Sequence, residues 1–182
     1  MKTLIVIAVS FAVLISIPAS AQPKKYEAAG NESFITYKLT HPLHEVEATS
    51  RKEVCLIYAD AGNKEIKNVL VQVPVTSFDS GNSNRDSHAM EVVDAISIPY
   101  AKFVSTNIEE NGDSVKVFGN LTFHGVTKGI RINASAKWSS NELIVNGTFD
   151  ISLTEFKVER PSLLLIPVND HLKFTLKEVF YL

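Results

Sequence analysis

Ile130-Arg131-Ile132-Asn133-Ala134-Ser135-Ala136-Lys137-Trp138 decides the fold. Apolar and polar residues alternate at period two, the pattern of a strand with one buried face and one wet face. The pattern recurs on both sides of this stretch. Leu143, Val145, Gly147, Phe149, Ile151 and Leu153 form one apolar row, and Val115, Val117, Gly119, Leu121 and Phe123 another, with Phe118 breaking the polar side. Val69, Val71, Val73 and Val75 make a fourth row, and Leu172, Phe174 and Leu176 a fifth. Reversals separate the rows. Asn111-Gly112 suits a type I′ hairpin, and Ala61-Gly62-Asn63, His124-Gly125 and Ser139-Ser140-Asn141 supply the others.

The reading is all-β, with eight strands near 33–41, 51–59, 65–77, 98–109, 113–123, 126–138, 142–153 and 168–180. Short turns make consecutive strands antiparallel neighbours. About eight strands close a barrel able to hold one small ligand. Gly119 and Gly147 fall on inward rows, where a missing side chain permits a bend or leaves room. One short helix is expected near 84–95, with Ser83 and Asp86 approximating a capping box and Met90, Val93 and Ala89 as its apolar face. Thr154 to Pro167 is less regular. Its Leu163-Leu164-Leu165-Ile166 run does not alternate, so it is either buried on both sides or laid over a barrel mouth.

Residues 1–21 are a separate object: Lys2, the apolar run Leu4 to Ile17, Pro18, then the small-x-small signal Ala19-Ser20-Ala21. This is the layout of a secretory signal peptide cleaved after Ala21. The run is short against the roughly 20 residues of a membrane span. The expectation is a periplasmic or secreted protein whose one domain covers 22–182. The chain carries 18 Lys and Arg against 20 Asp and Glu, too mild a balance for nucleic acid, and shows no basic run for a membrane surface. Cys55 is the single cysteine and lies in the apolar run Val54-Cys55-Leu56-Ile57-Tyr58, so it reads as a small buried hydrophobe.

Catalytic patterns are sparse. No Gly-x-Ser-x-Gly elbow, phosphate-binding Gly loop or dinucleotide fingerprint is present, and no histidine pair has the spacing of a helical zinc site. No metal, cofactor or enzymatic activity is expected. The remaining candidate for chemistry is His88, beside Arg85 and Asp86; these form either a structural polar cluster or a contact for a ligand head group.

Several ordered motifs add to this. They are Tyr37-x-x-x-His41 followed by Val46, Arg85-Asp86-x-His88, Ile98-Pro99-Tyr100, and Gly119-Asn120-Leu121-Thr122-Phe123-His124-Gly125-Val126-Thr127-Lys128. Together they resemble the YceI-like family over about 33–176. The chain departs from that family's pattern at Ala48, where a Gly is usual, and at Val92-Val93, where a Phe pair is usual. The resemblance implies a lipocalin-like antiparallel barrel with a helix. It also implies an exported carrier or sequestering protein that holds a long-chain amphiphile of isoprenoid, quinone or fatty-acid type. On that reading Tyr37, Phe103, Val117, Leu121 and Phe123 line the cavity, together with Ile132, Trp138, Phe149, Leu164 and Phe174. His41, Arg85 and His88 are the expected polar contacts. The implied partner is an amphiphilic lipid, with transient contact to a membrane or membrane protein; the oligomeric state, a dimer included, stays open. The competing reading is a filled barrel acting as a structural or adaptor protein that binds a protein partner without a ligand.

Overall fold

A computed structural model describes residues 22–163 and 165–182. The export segment expected at 1–21, and Leu164, lie outside the described residues. The elements are β1 (Lys24–Glu27), β2 (Phe34–His41), β3 (His44–Ser50), β4 (Val54–Asp60), β5 (Glu65–Pro74), α1 (Ser83–Val92), β6 (Tyr100–Asn111), β7 (Ser114–Phe123), β8 (Val126–Trp138), β9 (Glu142–Ser152), β10 (Ser162–Leu163), β11 (Ile166–Pro167) and β12 (His171–Tyr181). Ten strands join one antiparallel sheet in the order β1-β4-β5-β6-β7-β8-β9-β12-β2-β3, while β10 and β11 form a small separate hairpin.

Among the described residues the all-β class and the one α-helix hold, but the main sheet has ten strands rather than eight. The two extra strands carry weak signals. β1 is four residues with one apolar side chain, Tyr26. β3 alternates Val46, Ala48 and Ser50, all buried, against exposed or half-buried Glu45, Glu47 and Thr49, but its inward residues are mostly small.

The edges of the sheet meet at two places, which curl it into a lipocalin-like shell. β12 changes partner along its length: Lys173–Lys177 pair with β2, and beyond them Phe180 bridges Ala28. The Ala29 N–H donates to the Val179 carbonyl at 2.8 Å and the Ala28 N–H to the Cys55 carbonyl at 2.9 Å, so the end of β1 is held between β12 and β4. At the other edge Thr49 and Asp79 exchange both backbone hydrogen bonds, at 2.9 and 3.0 Å. Ser50 and Ser77 hydroxyls meet at 2.7 Å beside them.

Turn chemistry differs in one respect from expectation. Asn111 pairs with Ser114, so the turn residues are Gly112-Asp113, and only Gly112 has positive φ, at 58°. That is the II′ pattern. The I′ pattern falls at His124-Gly125, with φ of 49° and 72° between paired Phe123 and Val126. Helix α1 is capped by Asn82, whose side chain accepts from the Arg85 N–H at 3.1 Å, one residue before the expected Ser83; Asp86 does lie in the first turn. The leucine-rich run is not a doubly buried strand: Leu165 is 96% exposed at a φ of 67°, and Ile166 is 41% exposed.

Inward rows of the strands make the core, which includes Ile57, Phe103, Val115, Leu143 and Phe180, all almost fully buried. Phe103 lies over Gly119, and a Cβ built on that glycine would meet Phe103 and the Val104 carbonyl oxygen at 2.4 Å. The missing side chain there is a packing requirement rather than spare room.

Candidate functional site

The interior of the curled sheet is not filled. A cavity of about 220 Å³ runs inside it, where roughly 10–15 Å³ of such space seats one water molecule. Inward valines of β5 (Val69, Val71, Val73) form one wall, and Val145, Phe149 and Ile151 of β9 with Leu172, Phe174 and Leu176 of β12 form another. Asp86, Ala89, Met90 and Val92 of α1, with Val93 just past its end, close one side. Among the lining residues only Asp86, Lys102 and Glu178 are charged side chains.

Aromatic rings organise part of the wall. Phe149 and Phe174, cross-strand partners on β9 and β12, stack with centroids 4.6 Å apart and planes 2° from parallel. Tyr37 meets Phe174 edge-on at 6.4 Å and Phe78 at 5.2 Å. Burial raises the Tyr37 hydroxyl pKa and the nearby Asp86 carboxylate adds to the rise, so the phenol stays neutral and able to donate.

Tyr37, Phe103, Val117 and Leu121 stand on the cavity wall, as do Phe123, Ile132, Phe149 and Phe174. Four expected residues do not. Trp138 pairs with Leu143 at the far end of β8 and packs against the core, outside the cavity lining, because two further inward positions, Ala134 and Ala136, separate it from Ile132. His41 is 3% exposed but serves the backbone. Its Nδ1 accepts from the Leu43 N–H at 3.1 Å, which leaves Nε2 to donate to the Ile166 carbonyl at 2.9 Å and tie the β10–β11 hairpin to β2. Arg85 is exposed and donates to the Ser80 hydroxyl at 2.8 Å and carbonyl at 2.7 Å. Asp86 accepts from the Ser80 N–H at 3.2 Å and from its hydroxyl, so the pair fastens the loop before α1. The His88 side chain is 66% exposed with Glu91 at 3.9 Å and faces away from the cavity. A ten-residue helix that buries no residue fully turns this side to solvent. Among the described residues, no group of three His, Cys, Asp or Glu side chains is placed to hold a metal ion.

The sequence reading missed a polar cluster on the inner side. Glu178 is 3% exposed and lines the cavity, Glu53 is 7% exposed, and Cys55 is 3% exposed between them in chain order. Among the described residues, neither carboxylate completes a hydrogen bond of good geometry at either oxygen. Burial, then repulsion from Glu53, pushes the Glu178 carboxyl up to about 9; the nearby Ser33 hydroxyl, which accepts from the Val179 N–H at 3.1 Å and keeps its own proton to donate, opposes the rise. Glu53 is raised by burial, with its own backbone N–H and Arg51 opposing. The Cys55 thiol is held well above its usual range by burial and by both carboxylates, which keeps it protonated. The signal was present: Leu172, Phe174, Leu176, Glu178 and Phe180 share one phase of β12, and one of the five is acidic.

An antiparallel sheet curled round an apolar cavity, with one helix beside it, defines a lipocalin-like binding fold. Residues 26–180 match the YceI-like domain, and the chain belongs to that family. Curated relatives include UPF0312 proteins of Pseudomonas savastanoi pv. phaseolicola and Pseudomonas fluorescens. Each is 28% identical over 170 residues, covering 88% of both chains. Among solved structures, BcnA of Burkholderia cenocepacia superposes with a TM-score of 0.76 at 19% identity, over 84% of this chain and 98% of that one. The YceI protein of Campylobacter jejuni gives 0.69 at 19% identity, over 79% and 88%. A polyisoprenoid binding domain from Saccharophagus degradans gives 0.64 at 10% identity, over 87% and 98%. These likenesses establish the fold.

Proposed function

We propose that this protein is an exported carrier or sequestering protein that binds one long-chain amphiphile inside the barrel. The observation that carries the reading is the cavity: a void whose wall is mostly valine, isoleucine, leucine and phenylalanine, with three charged residues in the described lining. Such a void left empty forfeits dispersion contacts on every side, and a hydrocarbon chain restores them. Each methylene taken from water contributes about 0.8 kcal/mol, so a chain of isoprenoid or acyl type binds tightly without a catalytic group. The polyisoprenoid binding domain of Saccharophagus degradans shares the fold and lends the same direction to the ligand class. A carrier role is favoured over an enzyme because the most reactive-looking cluster, Arg85-Asp86-x-His88, holds a loop in place and turns His88 to solvent. It is favoured over a ligand-free adaptor because that reading requires a filled interior.

Export belongs to the same proposal. Its support is Lys2, the Leu4–Ile17 apolar run and Ala19-Ser20-Ala21. The test of carriage is to block the interior. Val69→Phe places a larger side chain on the β5 wall of the cavity. The variant should retain its β-rich far-UV spectrum and lose most of the lipid that wild-type protein carries from its host. Lys137→Gln, on the exposed face of β8, should change neither. Equal lipid content in Val69→Phe and wild type would sink the proposal.

A further inference from the structure

The barrel interior has a polar end that an apolar carrier does not need. β12 turns Glu178 into the cavity in line with Phe174 and Leu176, at the seam where its partner changes from β2 to the end of β1. Glu53 stands near enough to act on it through charge, two residues before Cys55, which also lines the cavity. Four carboxylate oxygens are thus buried together, and among the described residues none completes a hydrogen bond, although the Ser33 hydroxyl stands near Glu178 and the Glu53 backbone N–H near its own carboxylate. Among the described residues no Lys or Arg is paired with either acid: Arg51 acts weakly on Glu53 and its guanidinium is spent on the Ser33 carbonyl at 3.3 Å and the Phe34 ring. The cross-strand neighbour of Glu178 on β9 is Val145, and on the β4 side Cys55 stays a neutral thiol. A buried polar group without a partner is costly, and a ligand group that completes it recovers that cost.

We propose that Glu178 is the head-group anchor of the cavity: as a neutral carboxylic acid it donates a hydrogen bond to an uncharged, oxygen-bearing head such as an alcohol, ketone or amide. This rests on the carrier reading and narrows its ligand class. Anionic heads are rejected at this end, because a phosphate or fatty carboxylate would face two buried acids and no cation. The upward shift of Glu178 supports the neutral state at pH 7, with Glu53 as the second charge that disfavours ionisation.

The experiment uses full-length mature protein and four C20 isoprenoid probes: the saturated hydrocarbon, the alcohol, the monophosphate and the primary amine. Each is delivered from cyclodextrin and titrated by calorimetry against wild type, Glu178→Gln and Glu178→Leu. The alcohol should bind Glu178→Leu about tenfold more weakly than wild type, the fold-change of one lost hydrogen bond, while the hydrocarbon binds both alike. Glu178→Gln, neutral and still a donor, should keep wild-type affinity for the alcohol at pH 7. Above pH 9 wild type should weaken as Glu178 ionises, and the Gln variant should not. The monophosphate should bind wild type at least tenfold more weakly than the alcohol. Alcohol binding indifferent to residue 178, or a phosphate that matches the alcohol, overturns the anchor. So does an amine that binds tightest and is lost in Glu178→Gln, since that outcome makes the acids an anionic site. If the hydrocarbon binds but the anchor fails, the carrier reading survives; if no probe binds wild type, both fall.

Discussion

Gly119→Ala should be among the most damaging single-carbon changes in this protein. The added Cβ would stand 2.4 Å from the Val104 carbonyl oxygen and 2.4 and 2.6 Å from two carbons of the Phe103 ring. Phe103 is 4% exposed, so its ring has little room to swing away. The carbonyl belongs to β6, next to the register shift between Ser105 and Asn107 opposite Gly119. Overpacking costs roughly 1–3 kcal/mol where side chains absorb it, and here backbone must move as well. About 3 kcal/mol is the working figure. At about 2–4 °C per kcal/mol for a domain of this size, Tm should fall by about 6–12 °C. Gly129→Ala is the matched control. It lies on β8 with nothing within 4 Å of its would-be Cβ, and glycine in a strand costs roughly 0.5–1 kcal/mol against alanine, so this variant should gain slightly. Both are measured by thermal and urea unfolding followed by circular dichroism. A Gly119→Ala loss below about 1 kcal/mol would refute the close approach of β6 and β7 described above.

Glu178→Gln should change how stability depends on pH. The folded carboxyl is raised from 4.5 to about 9, so wild-type stability is greatest below the unfolded value and falls as pH rises toward 9. The limit is about 1.4 kcal/mol per pH unit for one proton. Urea midpoints of the Gln variant should lose that slope, and parallel curves would count against a buried acid. Asp170 acts oppositely: hydroxyls of Ser152 and Thr154 hold it down to about 2, so its contribution is present above its unfolded value of 3.8 and disappears as pH falls toward 2. Asp170→Asn should therefore narrow the stability difference between pH 6 and pH 2, and an unchanged difference would contradict the cluster. Phe123→Ala should cost less than Phe180→Ala in urea unfolding, because Phe123 is a half-buried cavity-wall residue whereas Phe180 is 1% exposed; the reverse order would place Phe123 in packed core. Exported protein should begin at Gln22 by N-terminal sequencing, and a mature chain starting at Met1 would end the export proposal.

Much of the fold was legible because period-two alternation is strong where inward residues are large. The rows of β5, β7, β8, β9 and β12 stand in the sequence, and most of their large residues stand on the wall. β3 was missed because its inward residues include Ala48 and Ser50, which give no hydrophobic contrast, and β1 because four residues are too few. The cavity wall was legible in the same way, since strand phase decides which side chains turn inward. Its ends were not. Trp138 shares the inward phase with Ile132, but phase does not say how far along the axis the void extends. His41, Arg85 and His88 were drawn to the site by residue type, and their partners are backbone, loop and solvent. Glu178 and Glu53 show the converse. Their inward phase was visible, but a charge in an apolar row reads as an exception until the pairing across the seam brings two of them together.

The most direct test of the carrier account is native mass spectrometry of mature protein purified without detergent from its own membrane-containing host, followed by organic extraction of whatever it holds. The account predicts one hydrophobic molecule per chain, a long-chain amphiphile with an uncharged oxygen-bearing head, at reduced occupancy in Val69→Phe. Protein that carries no such molecule, and takes up none when offered isoprenoid alcohols or hydrocarbons, would contradict it.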